Sequence, residues 1–459
     1  MSGNENKHES GNKSARKFTR RNFVKYGLVG LAGAVVIERT YDFLSESTAR
    51  AKIVIVGGGS AGITMAAYLE DIFRYDDLTI IDPSTDHHYQ PGYTLIAGDV
   101  FEPKDIVRST KSLIPRKVKW LQDSVTELNP DNNFVVTAKN GKVAYDFLVL
   151  VPGCQVDFNL VPGITREDLG TGNVHCIYDY QGSIACRDAL RKLPELKEGR
   201  LVFTDTYTKL KCGGAPKKIC LMAEDRLRDL KLRDRFQLEY YCNQKELMKP
   251  KIFGDRLAKI YDERDVIVKY RHRLASVDTA AKKAVFDVLP EPSGSPVPPD
   301  AKYERVVVDF DFLHYVPPMS VPDFVKQSPL ADPAKPGGWV KVDKATLVHS
   351  KYPNVISFGD VASLASKTGA AIRMQAPVAA ANLRALVEGK EPHAKYNGYS
   401  ACPIITEYGK VLMCEFGYED KLMPTIPFLD PGIERGIWWT LKAHGLKPMY
   451  YHGMLNALM

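Results

Sequence analysis

Short apolar runs rich in Ile and Val, each closing on glycine or an acid, recur along this chain. Residues 51–56 form the first, followed by Gly57-Gly58-Gly59-Ser60-Ala61-Gly62 and a helix-period stretch from Ile63 to Asp71. Runs this short with no polar alternation predict parallel strands buried on both faces. Leu78–Ile81, Tyr145–Val151, Arg200–Thr204 and Asn354–Phe358 repeat the pattern, and residues 217–230 predict a helix after the fourth run. Val411–Phe416 predicts a further strand. Strands alternating with helices give an α/β fold, and the two groups of runs predict two Rossmann-like domains. Beyond Leu422 the pattern changes. Ile433–Leu446 mixes Trp438 and Trp439 with Arg435, Lys442 and His444, and predicts a C-terminal helical segment lying on a membrane surface.

The first run carries the strongest chemical signal. Gly57, Gly59 and Gly62 fit G-x-G-x-x-G between a strand and a helix, with Ser60 and Ala61 at the helix start. The first glycine permits the turn, the second lets backbone approach a pyrophosphate, and the third allows close helix packing. Asp82 ends the second strand about 20 residues on, where an acid meets a ribose hydroxyl. The Arg200–Thr204 run leads into no such loop. Asp205 to Lys211 follow it, then Cys212-Gly213-Gly214-Ala215-Pro216. Lys211, Lys217 and Lys218 flank this cysteine, and cations beside a helix N-terminus favour thiolate, the nucleophilic form.

Composition adds little beyond this. The chain has 459 residues and a net charge of +7, with basic residues clustered before Tyr26. No nucleic-acid motif accompanies that charge. Eight cysteines without Cys-x-x-Cys spacing argue against a metal site. Arg20-Arg21 precedes an apolar run, Tyr26–Ile37, that is short of the ~20 residues a spanning helix needs. It resembles a twin-arginine export signal and predicts a location on the periplasmic face of the cytoplasmic membrane, where disulfides persist. Residues 289–299, rich in proline, predict an exposed loop.

The order of these segments resembles the two-dinucleotide-domain flavoproteins related to disulfide reductases. Four stretches narrow the resemblance to sulfide:quinone oxidoreductases: His88-Tyr89-Gln90-Pro91-Gly92-Tyr93-Thr94-Leu95, Lys211–Pro216, Ser366-Lys367-Thr368-Gly369-Ala370-Ala371, and Ala401-Cys402-Pro403. The resemblance implies FAD as cofactor, hydrogen sulfide as donor and the membrane quinone pool as acceptor. It implies that Cys212 and Cys402 form a redox bridge on one flavin face; within that bridge we assign Cys402 the flavin-proximal role and Cys212 the sulfur-carrying role. Cys176 matches a third cysteine of bacterial members. Gly153, Gly359, Asp360 and Lys367 join the loop residues at the cofactor; Pro152 replaces the threonine usual before that first glycine. Phe428, Trp438, Trp439 and Tyr450 are expected on the membrane and quinone side.

The implied divisions are a signal and linker (1–50), two parts of the FAD domain (51–165 and 306–400), a second Rossmann-like domain (166–305) and a redox-cysteine and membrane segment (401–459). Three rivals stay open: a flavocytochrome c sulfide dehydrogenase subunit, an NADH:quinone oxidoreductase, and a flavin redox sensor without turnover. The first would need a flavin-tethering cysteine before Gly153, and none occurs. Sulfur acceptor, quinone type and oligomeric state, including a homo-oligomer, are not set by these residues.

Overall fold

The computed structural model describes residues 46–73, 77–290 and 303–459. The twin-arginine segment and residues 291–299 of the proline-rich stretch lie outside them. In chain order, strand β1 (Ile53–Val56) enters the glycine loop and helix α1 (Ser60–Ile72). Strands β2 (Leu78–Ile81), β3 (Lys119–Leu121) and β4 (Phe147–Leu150) follow. Then come β5 (Val174–His175), β6 (Gly199–Thr204), α2 (Ala215–Asp229), β7 (Phe236–Cys242), β8 (Val266–Tyr270) and β9 (Phe312–His314). Strand β10 (Val355–Ser357), helix α3 (Gly369–Val387), hairpin strands β11 (Ser400–Glu407) and β12 (Lys410–Phe416), and the short helix α4 (Gly436–Thr440) complete the parts that build the site.

Two five-stranded parallel sheets result, ordered β10-β4-β1-β2-β3 and β5-β9-β6-β7-β8. Ile53 sits between Leu78 and Phe147, and Val54 between Thr79 and Leu148, in register. Every residue of β1 is buried, as a strand covered on both faces requires. The mixed α/β architecture with two Rossmann-like sheets matches the expected fold class.

The β11–β12 hairpin joins the two cores by strand alternation. Cys402, Ile404, Leu412 and Cys414 face the core of the second sheet, while Ile405 and Val411 face the core of the first. The tail after α4 continues as wide π-type turns through Leu441–Gly445 and Met449–Gly453. Among the described residues, no helix is long and apolar enough to cross a membrane.

Candidate active site

The glycine loop has the form a dinucleotide needs. Gly57 takes φ +108°, and a Cβ there would come within 2.5 Å of the Val151 carbonyl oxygen. A Cβ on Gly62 would collide with the Gly57 carbonyl. Around Gly59 and Gly153, by contrast, an added Cβ meets nothing within 4 Å, so open space lies beside both turns. Asp82 accepts from Gly58 N at 2.6 Å and from Ser84 N at 2.8 Å, which anchors the acid to the loop. Across the sheet, Asp360 follows Gly359 (φ +72°), and its Oδ1 is buried with no partner. A buried carboxylate oxygen left without a donor is costly and fits a ligand hydroxyl. Loop, open space and orphaned acid together fit FAD.

Lys367 is buried, donates to the carbonyl oxygens of Asp360 (2.7 Å) and Ala362 (2.9 Å), and lies 3.7 Å over the Trp339 ring. Burial pulls its ammonium down to about 8. Cys154 is half-buried, and its thiol is raised to about 11 by burial.

Cys212 and Cys402, 190 residues apart in the chain numbering, are brought together. Both are free thiols here, close enough that each strongly alters the other's ionisation. Cys212 sits at φ +48°, a conformation L residues seldom adopt. Three bonds hold it there: its N–H donates to Lys367 O at 2.9 Å, while its carbonyl accepts from Ala215 N at 2.8 Å and Tyr178 Oη at 3.1 Å. Cys402 is fixed by the hairpin, and Gly214 lets it approach, since a Cβ on Gly214 would stand 2.5 Å from its sulfur.

The pair ionises unequally. The hydrogen bond from Cys402 and the charge of Lys218 hold the Cys212 thiol well below its ordinary range. Lys218 Nζ is 3.4 Å from the Cys212 sulfur. Cys402, as donor to that thiolate, is pushed well up. Of the three flanking lysines, only Lys218 makes this contact. Lys217 donates to Gly213 O and Tyr240 Oη, and Lys211 to Gln90 Oε1 of the loop at 88–95. Lys217 and Lys218 are successive positions of α2 and point in different directions, so only one of them meets the sulfur.

A further cation escapes sequence reasoning. Lys442, on the π-type turn after α4, is 2% exposed and electrostatically coupled to Lys218 and both sulfurs. Burial, then repulsion from Lys218, lowers it to about 7. Nothing in its local sequence marks it; only the packing of the tail carries it inward.

Other expected residues fall elsewhere. Cys176 lies in the second core, its sulfur accepting from Tyr178 N at 3.4 Å, and burial pushes its thiol up to about 12. Tyr450 requires correction. It is buried, and its hydroxyl bonds Ser60 Oγ at 2.7 Å and His87 Nε2 at 2.6 Å, so it belongs to the glycine loop and not to an outer face. Trp438 and Trp439 are half-buried against the first core. Phe428 is 86% exposed.

Residues 51–185 match the family described as pyridine nucleotide-disulphide oxidoreductase. Over 409 residues the chain is 38% identical to the mitochondrial sulfide:quinone oxidoreductase of Dictyostelium discoideum, covering 88% of this chain and 86% of that one. It belongs to the sulfide:quinone oxidoreductase family. The mouse mitochondrial sulfide:quinone oxidoreductase is 35% identical over the same shares of the two chains. The solved structure of the Aquifex aeolicus sulfide:quinone oxidoreductase superposes with a TM-score of 0.69 at 17% identity, covering 88% of this chain and 91% of that one. Membership in the sulfide:quinone oxidoreductases makes this chain an FAD-dependent oxidoreductase with a quinone acceptor, as its motifs suggested.

Proposed function

We propose that this chain oxidises sulfide at a Cys212–Cys402 disulfide on a membrane surface and releases zero-valent sulfur as persulfide or polysulfide. What supports this is the pairing of the two thiols, each altering the other's ionisation, with Lys218 Nζ 3.4 Å from Cys212 Sγ and the buried Lys442 electrostatically coupled to both.

The polarity of the pair sets the direction of attack. In disulfide exchange the sulfur with the lower pKa leaves faster. Hydrosulfide adds to Cys402 Sγ, the disulfide bond breaks, and Cys212 departs as thiolate beside Lys218. One S–S bond forms, one breaks, and Cys402 is left as persulfide. Cys212 also faces the cofactor side, because its N–H is bonded to Lys367 and its charge is felt by Asp360 and Tyr89. Cys212 is therefore proposed as the flavin-proximal sulfur and Cys402 as the sulfur carrier, the reverse of the roles assigned from the sequence. Bound FAD supplies the two-electron acceptor that hands electrons on to quinone. Lys442, with its lowered pKa, takes up or returns the proton at the sulfurs.

Association with lipid is supported by Leu422, Phe428, Ile433 and Ile437, all large apolar side chains exposed on one stretch. Export through the twin-arginine segment is proposed from Arg20-Arg21 and the apolar run alone. Fusing residues 1–50 to a folded reporter and finding it retained in the cytoplasm would overturn that part.

The central test is anaerobic stopped-flow of the detergent-solubilised holoprotein. Sulfide should bleach the flavin and a soluble quinone should restore it. Cys212→Ser and Cys402→Ser should each abolish sulfide-driven bleaching. Near-normal bleaching in either variant, or bleaching by NADH in place of sulfide, defeats the proposal.

A further inference from the structure

The proposed cycle uses two of the three thiols gathered on the hairpin face. Cys414 lies directly across from Cys402 in the β11–β12 ladder, fully buried in the same core. Lys218 senses the charge of Cys212, Cys402 and Cys414 alike. The register fixes how near the second pair is. Val411 exchanges both backbone bonds with Arg435 on its outer side, Arg435 N to Val411 O at 2.9 Å and the return bond at 3.3 Å. Val411 therefore turns away from β11. Alternation then turns Leu412 toward β11, Met413 away from it, and Cys414 toward it again. Pro403, which has no N–H to give, stands opposite Met413, in agreement with this phase. Cys402 and Cys414 thus form a hydrogen-bonded pair, for which Cα atoms are about 5.5 Å apart. That Cα separation falls within the roughly 4.4–6.8 Å span of disulfides, while the Cβ atoms of such a pair, about 4.5–5.5 Å apart, must close by up to about 1 Å for the bond to form.

We propose that Cys414 is an alternative partner for Cys402, so that the bridge isomerises between Cys212–Cys402 and Cys402–Cys414. This rests on the bridge reading above. Cys414 Sγ attacks Cys402 Sγ, the Cys402–Cys212 bond breaks, and the Cys402–Cys414 bond forms. Cys212 leaves as the thiolate beside Lys218, and the proton given up by Cys414 passes to solvent. One disulfide replaces another, so neither oxidant nor reductant is consumed. Burial pushes the Cys414 thiol up, which makes it a weak attacker and keeps this isomer the minor one. In that isomer Cys402 is locked in the hairpin and Cys212 stands free at the cofactor side. It is a parked state that cannot take sulfide at the Cys212–Cys402 bond until Cys212 attacks back.

The test is a disulfide map of the flavin-loaded protein. Wild type and Cys212→Ser are oxidised with diamide, alkylated at low pH to quench exchange, digested and analysed by mass spectrometry. The expected wild-type map holds Cys212–Cys402 with a minor Cys402–Cys414 species. In Cys212→Ser the Cys402–Cys414 peptide becomes dominant. Cys414→Ser loses that species and keeps sulfide-driven flavin bleaching. Full alkylation of both Cys402 and Cys414 in oxidised Cys212→Ser overturns the inference while leaving the bridge intact. Absence of Cys212–Cys402 from the wild-type map defeats the bridge reading itself. Should Cys212→Ser not accumulate as folded flavoprotein, the wild-type map decides: a Cys402–Cys414 peptide below detection after equilibration at pH 9 rejects the inference.

Discussion

Lys218 places its ammonium 3.4 Å from the sulfur of Cys212, inside the protein and one helical turn from the loop that carries the cysteine. Burial works against its charge, yet the sulfurs, Cys212 first, more than restore it. The two groups hold each other ionised: each supplies the counter-charge that burial would otherwise forbid.

Lys218→Met therefore raises the Cys212 thiol and slows sulfide-driven flavin bleaching about tenfold or more at pH 7. Because Cys212 is ionised only above its pKa, the loss shrinks as pH rises. Lys218→Arg restores much of the rate. Stopped-flow rates between pH 6 and 9 check this; an unchanged profile in Lys218→Met removes the lysine from the chemistry.

Lys442, held near 7 by burial, changes charge within the working range. It is protonated below that value and neutral above it. Wild type should show an inflection near pH 7 in the rate of flavin bleaching at low sulfide, and Lys442→Met should flatten it while retaining FAD. An inflection that persists in the variant belongs to another group.

Much of this site is legible in the sequence, and the boundary is physical. Gly57 to Gly62 and Asp82 are recognisable because a turn, a strand and a helix within about 30 residues dictate them. Cys212 stands out because it replaces an expected glycine loop. Lys442 and the Cys402–Cys414 facing come from tail packing and hairpin register, which local pattern does not encode. Tyr450 misleads for a related reason. Its stretch is aromatic on both faces, and only the docked tail shows which face turns inward.

Gly214 is a spacer between α2 and the hairpin, where an added Cβ would stand 2.2 Å from Ile404 Cδ1 and 2.5 Å from Cys402 Sγ. Gly214→Ala should force Cys402 and Ile404 away and misalign the sulfurs. A displacement near 1 Å at a reacting centre costs on the order of 100-fold in rate. The expected variant keeps its flavin but bleaches with sulfide at least tenfold more slowly. Wild-type rates would mean that the hairpin yields without cost.

The Tyr450 hydroxyl links the C-terminal tail to Ser60 and His87 at the glycine loop, and Tyr68 Oη donates to Met459 O at 3.1 Å. A neutral hydrogen bond contributes about 0.5–1.5 kcal/mol. Tyr450→Phe should weaken FAD retention roughly two- to tenfold, read as flavin released during dialysis. His87, lowered to about 4 by burial, stays neutral above that pH, so the effect should not vary between pH 6 and 8. Undiminished retention would separate the tail from the cofactor loop.

The proposed lipid contact draws on Phe428 and Ile437, which are 86% and 60% exposed. Seated in the headgroup boundary, each gains from leaving water; full burial of one such side chain is worth about 1.5–3 kcal/mol. The double variant Phe428→Ser, Ile437→Ser removes that gain and leaves the buried Tyr450, Tyr451 and Leu455 in place. Flotation with phosphatidylethanolamine–phosphatidylglycerol vesicles should show at least about tenfold weaker binding. Flavin bleaching by sulfide should be unchanged, since the cysteines lie on another element, while reoxidation by a long-chain quinone in those vesicles should slow. Equal flotation of variant and wild type would remove these two side chains from the proposed lipid contact.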